Sequence, residues 1–262
     1  MKYGLIVAAV AALAATSASA DVLYYGGDID LSGPNADVLA NESDALVSDS
    51  AIYDNFTVAG GVWHVTGLFT NNFTNLGVSS VDWEIRSGVS EGDGGTLLFS
   101  GTAIPVITPT GRSGILGLSE YTIDAPVSFN LGPGVYWLSV VPVSPDTGRS
   151  FESNTFGLNA IGVHTPFDDF WNSAYYGVNF TNANNNPDGV FAGFSAGVIG
   201  TAIPEPAAWT MMLLGFAAIG GGVRRSARAA AVVNRTPPPH PRHLRPRPLC
   251  AARNRARSYR SN

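Results

Sequence analysis

Between residues 21 and 203, apolar and polar side chains alternate in short runs with the period of two that a half-buried strand requires. Within Val62 to Phe69, the residues Trp63, Val65 and Phe69 are expected to share one face. Val81, Trp83 and Ile85 are expected to share another, with Asp82, Glu84 and Arg86 turned away. One buried and one wet face is the signature of an antiparallel sheet. The same pattern predicts further strands over 22–25, 52–58, 96–99, 121–123, 135–141, 175–180 and 191–199. Ala59-Gly60-Gly61, Gly92-Asp93-Gly94-Gly95, Gly132-Pro133-Gly134 and Asn186-Pro187-Asp188-Gly189 supply the turns between them. No apolar stripe of period 3.6 runs longer than two turns. The expected body is therefore all-β, an antiparallel β-sandwich or jelly-roll-like domain over 21–203, large enough to bury roughly 70% of its unfolded surface without disulfides.

The two ends break this pattern. Met1-Lys2, an apolar run from Leu5 to Ala15, and small residues up to Ala18 and Ala20 form the three parts of a secretory signal over 1–20. Signal peptidase is expected to cut after Ala20 and leave Asp21 first. A second apolar run, 207–223, would make a helix of about 25 Å, slightly short of a typical ~30 Å hydrocarbon core. Pro204 and Pro206 cannot continue that helix backwards, so they define its start. Trp209 suits a membrane interface, and Arg224, Arg225 and Arg228 would be held on the cytoplasmic side.

Pro204-Glu205-Pro206, Trp209, the apolar run with its glycines and Arg224-Arg225 together resemble the C-terminal sorting signal of bacterial PEP-CTERM proteins, here over 204–228. The resemblance implies a Gram-negative bacterium, recognition by an exosortase, transient anchoring in the inner membrane by a transmembrane helix, and removal of the tail outside the cytoplasm. It also implies a cell-surface or extracellular destination and association with exopolysaccharide or biofilm. The phrases Glu84 to Gly88, Gly95 to Gly101 and Pro133 to Leu138 are similar to uncharacterised exported domains carrying the same signal, which implies a β fold and no activity. Beyond the arginines, 229–262 is rich in Arg and Pro without an acid and reads as an unfolded tail. A misread gene end or a basic nucleic-acid-binding tail are the two accounts of it.

Composition sharpens the picture. With 13% charged and 45% hydrophobic residues, 30 Gly and 17 Pro, the chain is too apolar for disorder and too turn-rich for a helical bundle. Charge is segregated: in 21–203, 19 Asp and Glu stand against Arg86, Arg112 and Arg149 alone. Such a body repels nucleic acid and anionic membrane surfaces, so nucleic acid is no expected partner. Cys250 is the single cysteine, which excludes an internal disulfide and a cysteine-rich zinc site.

Four constellations carry candidate chemistry. Gly193-Phe194-Ser195-Ala196-Gly197 matches the nucleophile-elbow pattern, but no histidine follows before the membrane signal, so a final strand fits better. Asp28, Asp30 and Ser32 before Gly33 resemble the first half of a calcium loop. Leu39 occupies the place of its closing glutamate, so the loop is also read as a solvated acidic turn. Asp168, Asp169 and Trp171 would suit hydrogen bonding and stacking on a sugar, while aromatics in such a setting are more commonly core. His64 and His164 lack any metal or catalytic spacing. The sequons at Asn41, Asn55, Asn72 and Asn179 are expected to stay unmodified in a bacterium.

The leading expectation is a non-enzymatic, exosortase-processed surface or matrix protein without a cofactor. The alternative is a carbohydrate-binding module, calcium-assisted or not, and behind it a glycan hydrolase.

Overall fold

The alternation resolves into thirteen strands among the residues that the computed structural model describes, 20–186, 189–203, 212–220 and 224. One sheet runs in the order β1 (Asp21–Tyr25), β13 (Ala196–Ile203), β4 (Val62–Thr74), β10 (Ser150–Ser153) and β2 (Val38–Ala40). β8 (Ser119–Leu131) lies along the other edge of β4, and β7 (Val106–Ser113) pairs with β8. The second sheet has the order β12 (Val178–Asn182), β11 (Phe170–Ser173), β3 (Ser50–Val58), β9 (Gly134–Val143), β5 (Ser80–Ser87) and β6 (Thr96–Ala103). Every strand pair is antiparallel.

The inward faces of the two sheets share one core. Tyr24, Trp63, Val65, Leu68, Ile123 and Val198 come from the first sheet, and Phe56, Val81, Ile85, Leu138 and Val140 from the second. Burying each large side chain contributes roughly 1.5–3 kcal/mol. Ring pairs link the layers: Tyr24 stacks on Phe56 at 5.4 Å between centroids, and Trp83 stacks on Phe129 at 5.6 Å. Such pairs add about 0.5–1.5 kcal/mol beyond their burial.

A β-bulge corrects the reading of β4. Ile199 and Gly200 are consecutive on β13, yet they face Gly67 and Val65, so Thr66 is left over. The ladder with β8 shifts at the same place. The extra residue reverses the alternation beyond it. Leu68 therefore joins Trp63 and Val65 in the core, while Phe69 leaves that face and packs against Tyr25 at 5.6 Å.

Other boundaries also move. The run expected over 175–180 begins as a turn and becomes β12 only at Val178. Residues 191–195, expected in the last strand, precede it, although Phe191 and Phe194 are buried. The segment 121–123 lies near the start of the 13-residue β8.

The chain divides into two units, 1–209 and 210–262. In the second, residues 212–220 are helical and exposed, as is Arg224. Among the described residues no helix is long and apolar enough to cross a membrane. The signal segment up to residue 19, much of the apolar run 207–223, all of the tail 229–262, and Pro187 and Asp188 of one turn lie outside the described residues.

Candidate functional site

The calcium expectation meets a guanidinium. Asp28 Oδ1 accepts from Arg112 Nη1 at 2.7 Å and from the Tyr25 hydroxyl at 2.7 Å, and Oδ2 accepts from Asn159 Nδ2 at 2.7 Å. Partial burial pushes the Asp28 carboxyl up, but Asn159, Tyr25 and Arg112 outweigh it and hold the group below its ordinary range. Asp30 instead caps its own turn: Oδ1 accepts from the Ser32 amide at 3.0 Å and the Ser32 hydroxyl at 2.6 Å. Asp28 and Asp30 thus serve different partners, and among the described residues no cluster of three His, Cys, Asp or Glu is placed to hold a metal.

Arg112 is the hub of this corner. Its Nε donates to Glu120 Oε2, and Glu120 is fully buried. Thr110 and Ser153 hydroxyls complete the Glu120 carboxylate. The hub borders a cleft of about 430 Å3 with Tyr25, Phe69 and Asp124 on its walls.

Ser195 is not at an elbow. It lies at the lead-in to a strand, fully buried, with its Oγ accepting from Asn71 Nδ2 at 2.8 Å and 3.2 Å from the Tyr25 hydroxyl. His64 sits half-exposed beside Asn130, with Nδ1 2.9 Å from Oδ1. His164 contacts the Ala192 carbonyl at 3.4 Å. Asn41, Asn55 and Asn72 are fully buried, and only Asn179 of the four sequon positions is exposed.

The proposed sugar contact of Asp168, Asp169 and Trp171 is not assembled on one surface. Asp169 is fully buried and accepts at Oδ1 from the Asn55 amide (2.9 Å) and Nδ2 (2.8 Å). Alternation along β11 sends Phe170 to one cluster and Trp171 to another. Trp171 spends its Nε1 on Ser50 Oγ at 2.9 Å. Its neighbours Tyr176 and Tyr175 are tilted by 43° and 78° from one ring to the next, so the three make no flat platform. Asp168 is half-buried, and burial pushes its carboxyl up.

Sequence reasoning missed the pairing of Asp169 with Asp54. Asp54 is also fully buried, accepting from the Tyr24 hydroxyl at 2.6 Å and from the Phe194 amide at 3.2 Å. Asp169 Oδ2 has no amide or hydroxyl donor among the described residues. The pair is held by burial, before any other cause, well above the ordinary carboxylate range; Glu152 adds to the rise at Asp54, and Asp54 adds to that at Asp169. It is an interior device rather than a site open to ligand.

Of the sorting residues, Ala20 and Arg224 are described and exposed, while Ala18, Pro204, Glu205, Pro206, Trp209 and Arg225 lie outside the described residues. β13 ends at Ile203, directly before the Pro-Glu-Pro segment. The helical residues 212–220 contain no polar side chain. A comparison with curated proteins and another with solved structures find no match. A comparison with protein-family models matches residues 202–226 to the PEP-CTERM protein-sorting motif. The chain therefore carries, at the end of its last strand, the signal of an exported protein that an exosortase sorts and processes at the membrane.

Proposed function

We propose that the chain is a non-catalytic β-sandwich cargo, exported through the signal over 1–20 and anchored by the apolar segment 207–223. Arg224, Arg225 and Arg228 hold the anchor on the cytoplasmic side. Exosortase cuts at Pro204-Glu205-Pro206, and the body stays at the cell surface or in the extracellular matrix with exopolysaccharide as its surroundings.

One observation carries this reading. β1 begins at Asp21, the residue after the signal-peptidase site, and β13 ends at Ile203, the residue before Pro204. These two strands are neighbours in one ladder. Both cuts therefore fall outside the hydrogen-bonded body, and neither removes a strand. The non-catalytic part is supported by Ser195, whose hydroxyl is buried and engaged by Asn71. Replacing Pro204, Glu205 and Pro206 by alanine tests the reading: the variant is expected to stay full-length in the membrane, and unchanged processing would refute it.

A further inference from the structure

The outer face of the six-stranded sheet carries a groove of about 330 Å3 that no sequence motif announces. Strand register builds it. Glu84 on β5 lies opposite Ser139 on β9, and Asp82 lies opposite Val141. Ala51 on β3 lies opposite Asn172 on β11. Residues two apart share a face, so Asp82, Glu84 and Arg86 stand in a row along one wall, with Ser139, Val141 and Ala51 beneath.

Ser139 is 2% exposed, and its Oγ has no hydrogen-bond partner among the described residues. A buried hydroxyl left unmet costs stability that alanine would not cost. Its position at the bottom of a groove points to a partner that enters from outside.

Charge and geometry select the ligand class. Arg86 is committed to the protein: its Nε donates to Glu84 Oε2 at 2.6 Å, its Nη1 donates to the Gly94 carbonyl at 3.0 Å, and its guanidinium lies 5.3 Å from the Phe180 ring centre. Asp49, Asp82 and Glu84 leave the groove acidic, which disfavours an anion. The metal alternative lacks a cluster of three ligating side chains among the described residues. What these carboxylates and the serine oxygen need is a ligand rich in hydroxyl donors. Both bonds to Glu84 from Tyr53 and Arg86 end on Oε2, which leaves Oε1 as the oxygen open to such a donor. Val141 and Ala51 offer an apolar floor to the C–H face of a ring. The volume is at the lower end of the ~300–1,000 Å3 range of small-molecule sites, enough for a short segment.

We infer that this groove binds an uncharged saccharide segment, with Ser139, Glu84 and Asp82 hydrogen-bonding its hydroxyls. The inference goes beyond the sorting reading and is separable from it, because correct processing of the tail neither requires nor produces sugar binding. The test titrates neutral gluco-, manno- and galacto-configured trisaccharides into the whole chain by ligand-observed NMR. At least one trisaccharide binds, and Ser139→Ala weakens it about tenfold while leaving the melting temperature unchanged or raised. Asp82→Asn, on the exposed rim, also weakens binding with the fold intact. Absence of binding by all three sugars, equal binding in both variants, or binding of a cationic amine such as spermidine in place of the sugars overturns the inference.

Discussion

Asp21 lies opposite Gly200 in the antiparallel pair of β1 and β13. The first and last strands of the body thus close on each other, and the segments expected to be removed extend from adjacent points of one ladder. A chain of residues 21–203 is accordingly expected to fold and to melt within about 5 °C of the longer form. Calorimetry of the two checks this, and a molten or aggregated 21–203 would show that the flanking segments contribute to the fold.

Gly200 itself is under tight steric control. A Cβ there would lie 2.2 Å from the His64 carbonyl oxygen and 3.0 Å from Val65 Cα, both backbone atoms that cannot rotate aside. Gly200→Ala should therefore force β13 and β4 apart at the bulge, at a cost of about 1–3 kcal/mol. Urea denaturation measures the loss, and a variant as stable as the parent would contradict the register described.

The Asp54–Asp169 pair predicts an unusual pH dependence. Its carboxyls are held above the range they have in the unfolded chain, chiefly by burial. Between the two values the folded chain binds more protons than the unfolded one. The pair's contribution to stability is then full below about pH 4 and is lost as pH rises through the folded-state values. Buried Glu152, also raised by burial, acts in the same direction. Denaturation midpoints should fall as pH rises above the ordinary carboxylate range. Asp169→Asn, which imitates the neutral carboxyl, should flatten that fall, whereas midpoints rising with pH would contradict the assignment.

Arg112 ties the surface carboxylate of Asp28 to the buried one of Glu120. Removing it by Arg112→Ala leaves Glu120 without its counter-charge and should destabilise the chain by roughly 3–5 kcal/mol. Because the guanidinium already occupies Asp28, millimolar calcium should leave the melting temperature of the parent unchanged. A calcium-dependent rise would restore the loop at Asp28, Asp30 and Ser32 as a metal site.

Period-two alternation made β5 legible, because Val81, Trp83 and Ile85 face the core while Asp82, Glu84 and Arg86 line the outer groove. The strands around Tyr53 and Leu138 were legible as short runs rich in apolar residues bounded by turns, since both of their faces are largely buried. Alternation failed where the interior is polar. β10 reads Ser-Phe-Glu-Ser and looks like a loop, yet Ser150, Glu152 and Ser153 are buried. Asn72 Nδ2 donates to Ser150 Oγ at 2.8 Å and Asn41 Nδ2 to Glu152 Oε2 at 2.9 Å, so hydrogen bonds rather than hydropathy hold this layer. β7 was missed for the opposite reason, since most of its residues are exposed and show no apolar face. β2 is only three residues long, and β11 is four with two aromatics in succession. The bulge at Thr66 was invisible for a further reason: one extra residue reverses a face without altering composition, and Leu68 and Phe69 are equally apolar.

The sorting signal was legible because its chemistry is local: two prolines, an apolar run and arginines in sequence order. The groove around Ser139 was not, because its walls come from separate strands that only register brings together. Trp171 and Asp169 misled because they lie two residues apart in the chain yet in different settings, Asp169 fully buried and Trp171 only partly so.

The intact mass of the protein recovered outside the cell tests the central claim most directly. The account predicts a species that begins at Asp21 and lacks the apolar segment and the arginine-rich tail. Recovery of the uncut 262-residue chain from the cytosol would contradict it.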